Sequence, residues 1–248
     1  MAPQKERAPG WFDRYGLFAR LFPAILVALP VYVSWFYAAG LIGLIPLGHF
    51  LESQKVLGVL SISVVVLFFY SQMLRLLGKR LEEKYFKNGL EFPSVSLLLY
   101  ADERMSESFK DRFREKVRGA LGLEPPSRLD EEEDLLMAKR RLREIIRMVI
   151  AKCRDRGLVL QHNIQYGFIR NLLGGTPLGI VLAVIFMVLG KLVIGSMPML
   201  ILNACLAALY GFLLLFKKPL LQRAAREYAE QLLGEFMVFT DADELRKK

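Results

Sequence analysis

Hydrophobic and charged residues are segregated along this chain into separate blocks. Four stretches contain no charged residue, namely 21–51, 56–74, 171–190 and 192–216. A run of about 18 or more apolar residues can cross a bilayer as a helix, because a helix satisfies its own backbone hydrogen bonds. The pattern therefore predicts an integral membrane protein, mainly α-helical, whose four transmembrane helices form two hairpins around a charged middle segment.

The blocks and their flanks divide the chain into five predicted regions. They are an amphipathic N-terminal segment (1–20), hairpin 1 (21–76), a middle module (77–176), hairpin 2 (177–216) and a C-terminal amphipathic helix and tail (217–248). Within hairpin 1, Pro23 lies in the first helical turn, where its missing N–H costs little. Pro30 lies deeper and predicts a kink.

Lys and Arg residues flank the spans on one side. These flanking residues are Lys5, Arg7, Arg14 and Arg20; Lys79, Arg80, Lys84 and Lys87; Arg154, Arg156 and Arg170; and Lys217, Lys218, Arg223 and Arg226. The two hairpin links contain only Lys55. Because cytoplasmic flanks are enriched in Lys and Arg, we predict a protein of the bacterial cytoplasmic (inner) membrane, with both termini and the middle module cytoplasmic. The formal net charge of +9 agrees with this orientation.

Lys191 is the single charged residue inside a predicted span. An ionisable residue within a membrane is a functional candidate, so a pore-lining or lipid-phosphate role stays open. We favour a structural interpretation. Lys191 lies within about a turn and a half of the outer end, so its stem can extend to the headgroups.

The middle module is predicted to be a small α+β unit. Residues 92–100 (FPSVSLLLY) are β-branched, aromatic and apolar and predict a strand, and 158–161 predict a second. Between them, an apolar residue every four positions predicts a helix over 103–121. The carboxylates of 130–134 are expected at the start of another helix, which Gly157 would end. Two strands alone are marginal, so we expect membrane-proximal helices, the C-terminal tail or another subunit to complete the module.

The second module helix has a basic stripe opposite its apolar face. Arg140, Arg147 and Arg154 repeat every seven residues, with Arg143 beside them. The stripe is a candidate site for an anion or phospholipid headgroup. The alternative, which we favour, is a solvated cytoplasmic face. Binding to nucleic acid is not expected, because no aromatic residues interleave the stripe.

Residues 161–171 (QHNIQYGFIRN) combine amides, a histidine, aromatic rings and an arginine just before the third span. We weigh two interpretations equally. One is a segment that couples the module to the spans, with candidate residues His162, Asn163, Tyr166, Arg170 and Asn171. The other is an interfacial segment whose aromatic rings lie at headgroup level.

The C-terminal region carries apolar residues on one face of a predicted helix, at Leu221, Ala225, Tyr228, Leu232 and Phe236. This face is expected either to lie on the membrane or to pack onto the module.

No sequence motif indicates an enzyme. The chain lacks a Gly-rich phosphate loop followed by Lys and Ser or Thr, a His/Cys metal cluster and a serine in a nucleophile elbow. The Gly174-Gly175-Thr176-Pro177 run lacks that lysine and predicts a loop before the third span. We therefore expect a non-enzymatic protein without cofactor, bound metal or catalytic residues.

The order of hairpin, module and hairpin, with the strings Leu21-Phe22-Pro23 and 163–171, resembles uncharacterised bacterial four-span inner-membrane proteins. The architecture is also similar to that of four-span effectors or sensors with cytosolic modules that disrupt membranes in phage defence. Because the module is joined covalently to the second and third spans at its two ends, we favour a sensor or effector whose module acts on an oligomeric transmembrane bundle. The alternatives are a membrane anchor or scaffold subunit of a protein complex and, third, a channel or transporter. The expected partners are the lipid bilayer, further copies of the chain and a protein on the cytoplasmic side.

Overall fold

The structure is a computed structural model that describes residues 13–41, 55–154 and 156–238. Its α-helices are α1 (Phe22–Val27), α2 (Leu29–Leu41), α3 (Lys55–Tyr85), α4 (Pro93–Ser96), α5 (Glu107–Leu121), α6 (Arg128–Glu133), α7 (Leu135–Cys153), α8 (Gly157–Leu189), α9 (Met197–Leu215) and α10 (Lys217–Val238). Two π-helical turns, Gly16–Leu21 and Gly190–Ile194, and the 3₁₀ turn Lys87–Gly89 complete the regular structure of these ranges. The mainly α-helical prediction is confirmed.

The helices form two compact units. Unit 1 comprises Met1–Leu81 and Gly167–Leu220, and unit 2 comprises Glu82–Tyr166 and Leu221–Lys248. Each of the three boundaries between them falls inside a helix, namely α3, α8 and α10. The five regions drawn from the sequence stay predictions.

Unit 1 contains helices long and apolar enough to cross a membrane. They are α8 with its π-helical turn (Gly157–Ile194) and α9. A third candidate arises if Gly16–Val27 and Leu29–Ala38, which meet at 49°, form one bent span. The predicted second span begins in the part of α3, residues 55–62, whose side chains lie outside the described residues, so this span stays a prediction. Among the described residues, length and composition support two or three spans.

The outer surface of unit 1 is strongly apolar. In the 18-residue apolar windows of the two candidate spans, only 17% of residues are buried. Large apolar side chains point outward from the described parts of several helices, including Phe36, Phe69, Val184, Leu192 and Phe212. The interior is small and centres on Ala24, Val27, Leu74 and Leu172. Such a surface suits lipid or other copies of the chain rather than water.

The prediction of an α+β module is wrong, because the described residues of unit 2 contain no strand. Residues 92–100 form α4 and the turns after it. Pro93 excludes helical geometry at Phe92, which is extended at φ −64° and ψ 140°, and itself favours the first helical position. The β-branched and apolar residues serve burial instead, since Val95, Leu97 and Leu98 lie in the core.

The second predicted strand, 158–161, belongs to α8, so Gly157 begins a helix rather than ending one. The acidic run also differs from its prediction. It forms the separate helix α6, where Ser127 and Asp130 make a capping box, and Asp134 then caps α7 by accepting from the backbone N–H of Met137. Alternate capping thus divides one predicted helix in two.

The helix predicted over 103–121 is confirmed as α5, with a later start. Ser106 caps it by accepting from the backbone N–H of Phe109 at 3.3 Å. Gly122 ends it in the left-handed conformation at φ +63°, which suits glycine.

Helix α10 packs within unit 2, so the second of the two interpretations of the C-terminal helix is confirmed. All five predicted face residues are buried. Phe236 contacts Phe113 at a ring-centroid distance of 5.4 Å. Lys116 donates to the carbonyl of Met237 at 2.8 Å, and Arg156 pairs with Glu235 at 2.9 Å. The residues before 13 and after 238, which include parts of both predicted terminal regions, and the first hairpin link lie outside the described residues.

Candidate functional site

The predicted coupling segment, 161–171, is continuous helix within α8. Of its candidate residues, His162, Asn163 and Tyr166 belong to unit 2, whereas Arg170 and Asn171 belong to unit 1. The coupling role stays a prediction. His162 and Asn163 are half-buried, and the other candidates are buried. His162 Nδ1 is a buried atom without a hydrogen-bond partner in the described structure.

Tyr166 lies in a cluster of aromatic rings in unit 2. Its ring stacks on that of Tyr228 at 6.0 Å between centroids, with 7° between the planes. Phe92 meets Tyr166 edge-on at 5.5 Å, and Phe86 meets Phe92 at 5.0 Å. The cluster joins α8, α10 and the residues around α4 into one core, and such ring geometries add to the energy of burial.

Asn171 supplies a hydrogen bond that Pro23 cannot make. The carbonyl of Ala19 lies four residues before Pro23, which has no N–H to donate to it. Asn171 Nδ2 donates to that carbonyl at 2.7 Å, and Asn171 Oδ1 accepts from Arg170 Nε at 3.3 Å. The amide side chain, only 1% exposed, therefore joins α8 to the first helical segment.

Tyr210 on α9 likewise donates a hydrogen bond to a carbonyl that Pro30 leaves without a helical donor. The carbonyl of Leu26 lies four residues before Pro30, which again cannot donate. The hydroxyl of Tyr210 donates to that carbonyl at 2.6 Å. The break between α1 and α2 lies at Ala28, close to Pro30, where the helix bends as the proline predicted.

A substitution of Asn171 by leucine tests this arrangement. We expect a loss of about 1–3 kcal/mol in the free energy of unfolding, because the buried Ala19 carbonyl keeps no side-chain donor. Tyr210→Phe should produce a loss of the same kind at Leu26. Urea unfolding of the full chain in mild detergent, followed by circular dichroism, measures both.

The matched control is Asn163→Ala. Asn163 lies on the same helix and is half-buried, and its side chain makes no hydrogen bond in the described structure. Asn163→Ala should lower the free energy of unfolding clearly less than Asn171→Leu does. Equal losses of stability at the two positions would contradict the assigned role of Asn171.

Glycines allow α3 and α8 to cross in direct backbone contact. A Cβ atom on Gly174 would lie 2.5 Å from the nitrogen of Gly78, and one on Gly78 would lie 2.7 Å from Asn171 Oδ1. Gly175 faces Leu74 and Val27 at similar closeness. The loop predicted for 174–177 is therefore wrong, since these small residues lie inside α8 and serve a close helix crossing.

A second polar contact joins α9 to α2. Asn203 Nδ2 donates to Ser34 Oγ at 3.2 Å and to the carbonyl of Met199 at 2.9 Å. Both side chains are buried. Hydrogen bonds of this kind between polar side chains join apolar helices in membranes.

Lys191 lies in the π-helical turn that ends at Ile194, and its side chain is exposed. The turn from Gly195 into α9 follows, with Gly195 in the left-handed conformation. The choice between a headgroup-directed and a pore-lining Lys191 stays a prediction.

Only three of the four arginines of the predicted basic stripe are exposed. Arg140, Arg147 and Arg154 are exposed. Arg143 is half-buried and lies over the backbone of Gly89, whose added Cβ would meet Arg143 Nε at 3.1 Å. Arg143 therefore packs against the turn after α3, and three arginines remain on the exposed face.

Sequence reasoning missed a buried charge network in unit 2. The network joins Arg114 on α5 to Glu131 on α6, with side chains 3% and 5% exposed and a distance of 2.9 Å between Nη2 and Oε1. Arg114 also donates to the carbonyls of Leu98 and Pro126, at 2.9 and 3.0 Å. Glu131 Oε2 accepts from the backbone N–H of Tyr100 at 2.7 Å. These bonds fix the turn after α4 against two helices.

The environment of this network changes the pKa of its members. Burial raises the pKa of the Glu131 carboxyl, and bonds from Tyr100 and Arg114 oppose that shift. Burial also raises the pKa of Tyr100, as does its hydrogen bond to Asp111. The sequence contained a signal for buried charge, because Lys110 and Arg114 are four residues apart and each follows a residue of the apolar stripe. Both side chains are buried in the structure.

No known protein family, no curated protein and no solved structure matches this chain. Among the described residues, no group of His, Cys, Asp or Glu is arranged to hold a metal ion.

Proposed function

We propose that this protein is a non-enzymatic membrane sensor or effector, in which a cytoplasmic module controls an oligomeric bundle of transmembrane helices. The proposal includes two hairpins in the bacterial inner membrane, with module and termini cytoplasmic, and an effector of the defence type that the architecture resembles. The observation that carries it is that unit 1 has an apolar outer surface, whereas unit 2 is a separate compact unit with its own buried residues. Such a surface favours lipid and further copies of the chain.

Helix α8 belongs to both units, which supports a link between detection by the module and the response of the transmembrane bundle. Tyr166 belongs to the aromatic core of unit 2, and one helical turn later Arg170 and Asn171 belong to the polar contacts of unit 1. A change in the packing of Tyr166 therefore acts on the helix that also carries Asn171. Coupling of this kind requires an element with two arrangements that both units bias.

Induced expression in bacteria, with membrane potential recorded by a voltage-sensitive dye, tests the function. We expect depolarisation that depends on the full chain. Tyr166→Ala should lower the response at least about fivefold, as expected for a coupling free energy of about 1–3 kcal/mol. Tyr166→Phe keeps the ring contacts and should retain the response.

Membrane levels of each variant, measured by immunoblot, must match those of the native chain for this comparison. Unchanged potential and dye permeability at full membrane levels would contradict the proposal. Recovery of a stoichiometric partner protein in mild detergent, with no permeability change, would instead favour the anchor or scaffold alternative.

A further inference from the structure

Unit 2 contains a cleft of about 330 Å³ whose lining includes none of the four arginines of the basic stripe. Its walls come from the end of α3, from α4 and the turn before it, from the segment before α5, and from α7 and α10. The volume lies at the lower end of the range typical of small-molecule pockets, about 300–1,000 Å³. A concave site built by several elements of one core is fit to hold a compact ligand.

Three cations converge on this cleft, and one carboxylate lines it. The cations are Arg104, Lys139 and Arg226, and the carboxylate is Glu91. Glu91 is already paired with Lys87 at 2.5 Å. In the part of the chain that the structure describes, no carboxylate pairs with Lys139 or Arg226. Because Asp102 offsets the charge of Arg104, the unbalanced positive charge of the cleft comes from Lys139 and Arg226.

Arg104 is held in place by its neighbour. Asp102 Oδ1 accepts from Arg104 Nε at 2.9 Å and from the backbone N–H of Arg104 at 3.0 Å. Arg104 Nη2 also donates to Asp102 Oδ2, so the Nε and Nη2 side of the guanidinium faces a carboxylate that offsets its charge. The hydrogen bond to Asp102 raises the pKa of the Arg104 guanidinium, and the pair holds in place the donors of Arg104 that Asp102 does not use.

We propose that this cleft binds a small phosphate-bearing anion. Convergent Arg and Lys side chains donate charge-assisted hydrogen bonds to phosphate oxygens, and Arg does so with two parallel donors. Ser96 and Gln222 add neutral donors, and Tyr85 adds an aromatic surface for the organic part of the ligand. This inference rests on the proposed function, because it identifies the phosphate-bearing anion as the cue that the module detects.

The experiment measures binding separately from permeability. Isothermal titration of the full chain in phosphatidylcholine nanodiscs uses inorganic phosphate, pyrophosphate and ADP as probes. We expect pyrophosphate or ADP to bind, and Lys139→Gln and Arg226→Gln each to weaken binding at least about tenfold, or 1.4 kcal/mol. These variants remove exposed or half-buried charges, and their thermal unfolding should match that of the native chain.

Matched controls lie on the same helices outside the cleft. Arg147→Gln on α7 and Arg223→Gln on α10, which pairs with Glu227, remove the same charge. They should leave the affinity within about twofold, well below the tenfold that 1.4 kcal/mol represents. No binding of any probe would overturn the site. Equal losses of affinity for control and cleft variants would also overturn it and would indicate nonspecific attraction by a basic chain.

Nanodiscs that contain phosphatidic acid separate the two sources of phosphate. If the natural ligand is a lipid headgroup, phosphatidic acid should weaken pyrophosphate binding to the native chain, and Lys139→Gln should abolish that competition. If it is a soluble compound, the affinity should be the same in both nanodiscs. Either result supports the phosphate site and assigns its ligand.

Dye efflux from liposomes then distinguishes the two proposals. Binding through Lys139 without any change in efflux keeps the site and contradicts the sensor function. Efflux that is insensitive to all the probes and to Lys139→Gln keeps a membrane effector and contradicts the phosphate anion as its cue.

Discussion

Glu131→Ala should lower the free energy of unfolding by about 3–5 kcal/mol, since it leaves the buried charge of Arg114 without its partner. The two side chains are 5% and 3% exposed, so the charge of Arg114 is poorly solvated once the carboxylate is removed. The same substitution removes the acceptor for the backbone N–H of Tyr100. Urea unfolding of the full chain in mild detergent, followed by circular dichroism, measures the effect.

Two variants make this prediction specific. Glu133→Ala removes an exposed carboxylate from the same helix and should change stability little. The double variant Arg114→Met with Glu131→Leu replaces both charges by apolar groups and should recover much of the loss. A Glu131→Ala loss no larger than that of Glu133→Ala would show that the network contributes no stability.

Gly174→Leu should cost about 3 kcal/mol or more and open the crossing of α3 and α8. The clash cannot be relieved by rotating a side chain, because the nearest atoms are the backbone nitrogen and Cα of Gly78, at 2.5 and 2.6 Å. Thermal unfolding in detergent and the elution volume on size exclusion should both change.

Gly211→Leu is the matched control in the same unit. A Cβ at Gly211 meets no atom within 4 Å, and leucine favours the helix more than glycine does. This variant should keep or raise stability within unit 1. Equal losses for the two leucines would mean that membrane insertion, rather than the crossing, sets the effect.

Some features of the fold were predictable because they depend on local patterns. The apolar stripe of α5 and its Gly122 end follow from side-chain period and from glycine at positive φ. The C-terminal face from Leu221 to Phe236 was likewise recognisable, although its partner was not. Each of these depends on residues within a few turns of one another.

Other features could not be derived, because distant residues determine them. Residues 92–100 have strand propensity, but the core of unit 2 buries them as a short helix and turns. Gly174 and Gly175 are typical of a loop in the sequence, but Gly174 lies against Gly78 and Gly175 against Leu74 and Val27. The basic cleft draws Arg104, Lys139 and Arg226 from separate segments, and no spacing in sequence connects them.

By itself the sequence determined that long apolar helices are present and that amphipathic helices accompany them, since both depend on the order of residue types along one helix. It also predicted the bend near Pro30, since a proline inside a helix removes a backbone hydrogen bond. Only the tertiary structure decided that Asn171 and Tyr210 meet those carbonyls, that α3 and α8 touch through glycine, and that three cations share one cleft. The reason is physical: hydrogen bonds and charges act over a few ångströms in space, whatever the distance between the residues along the chain.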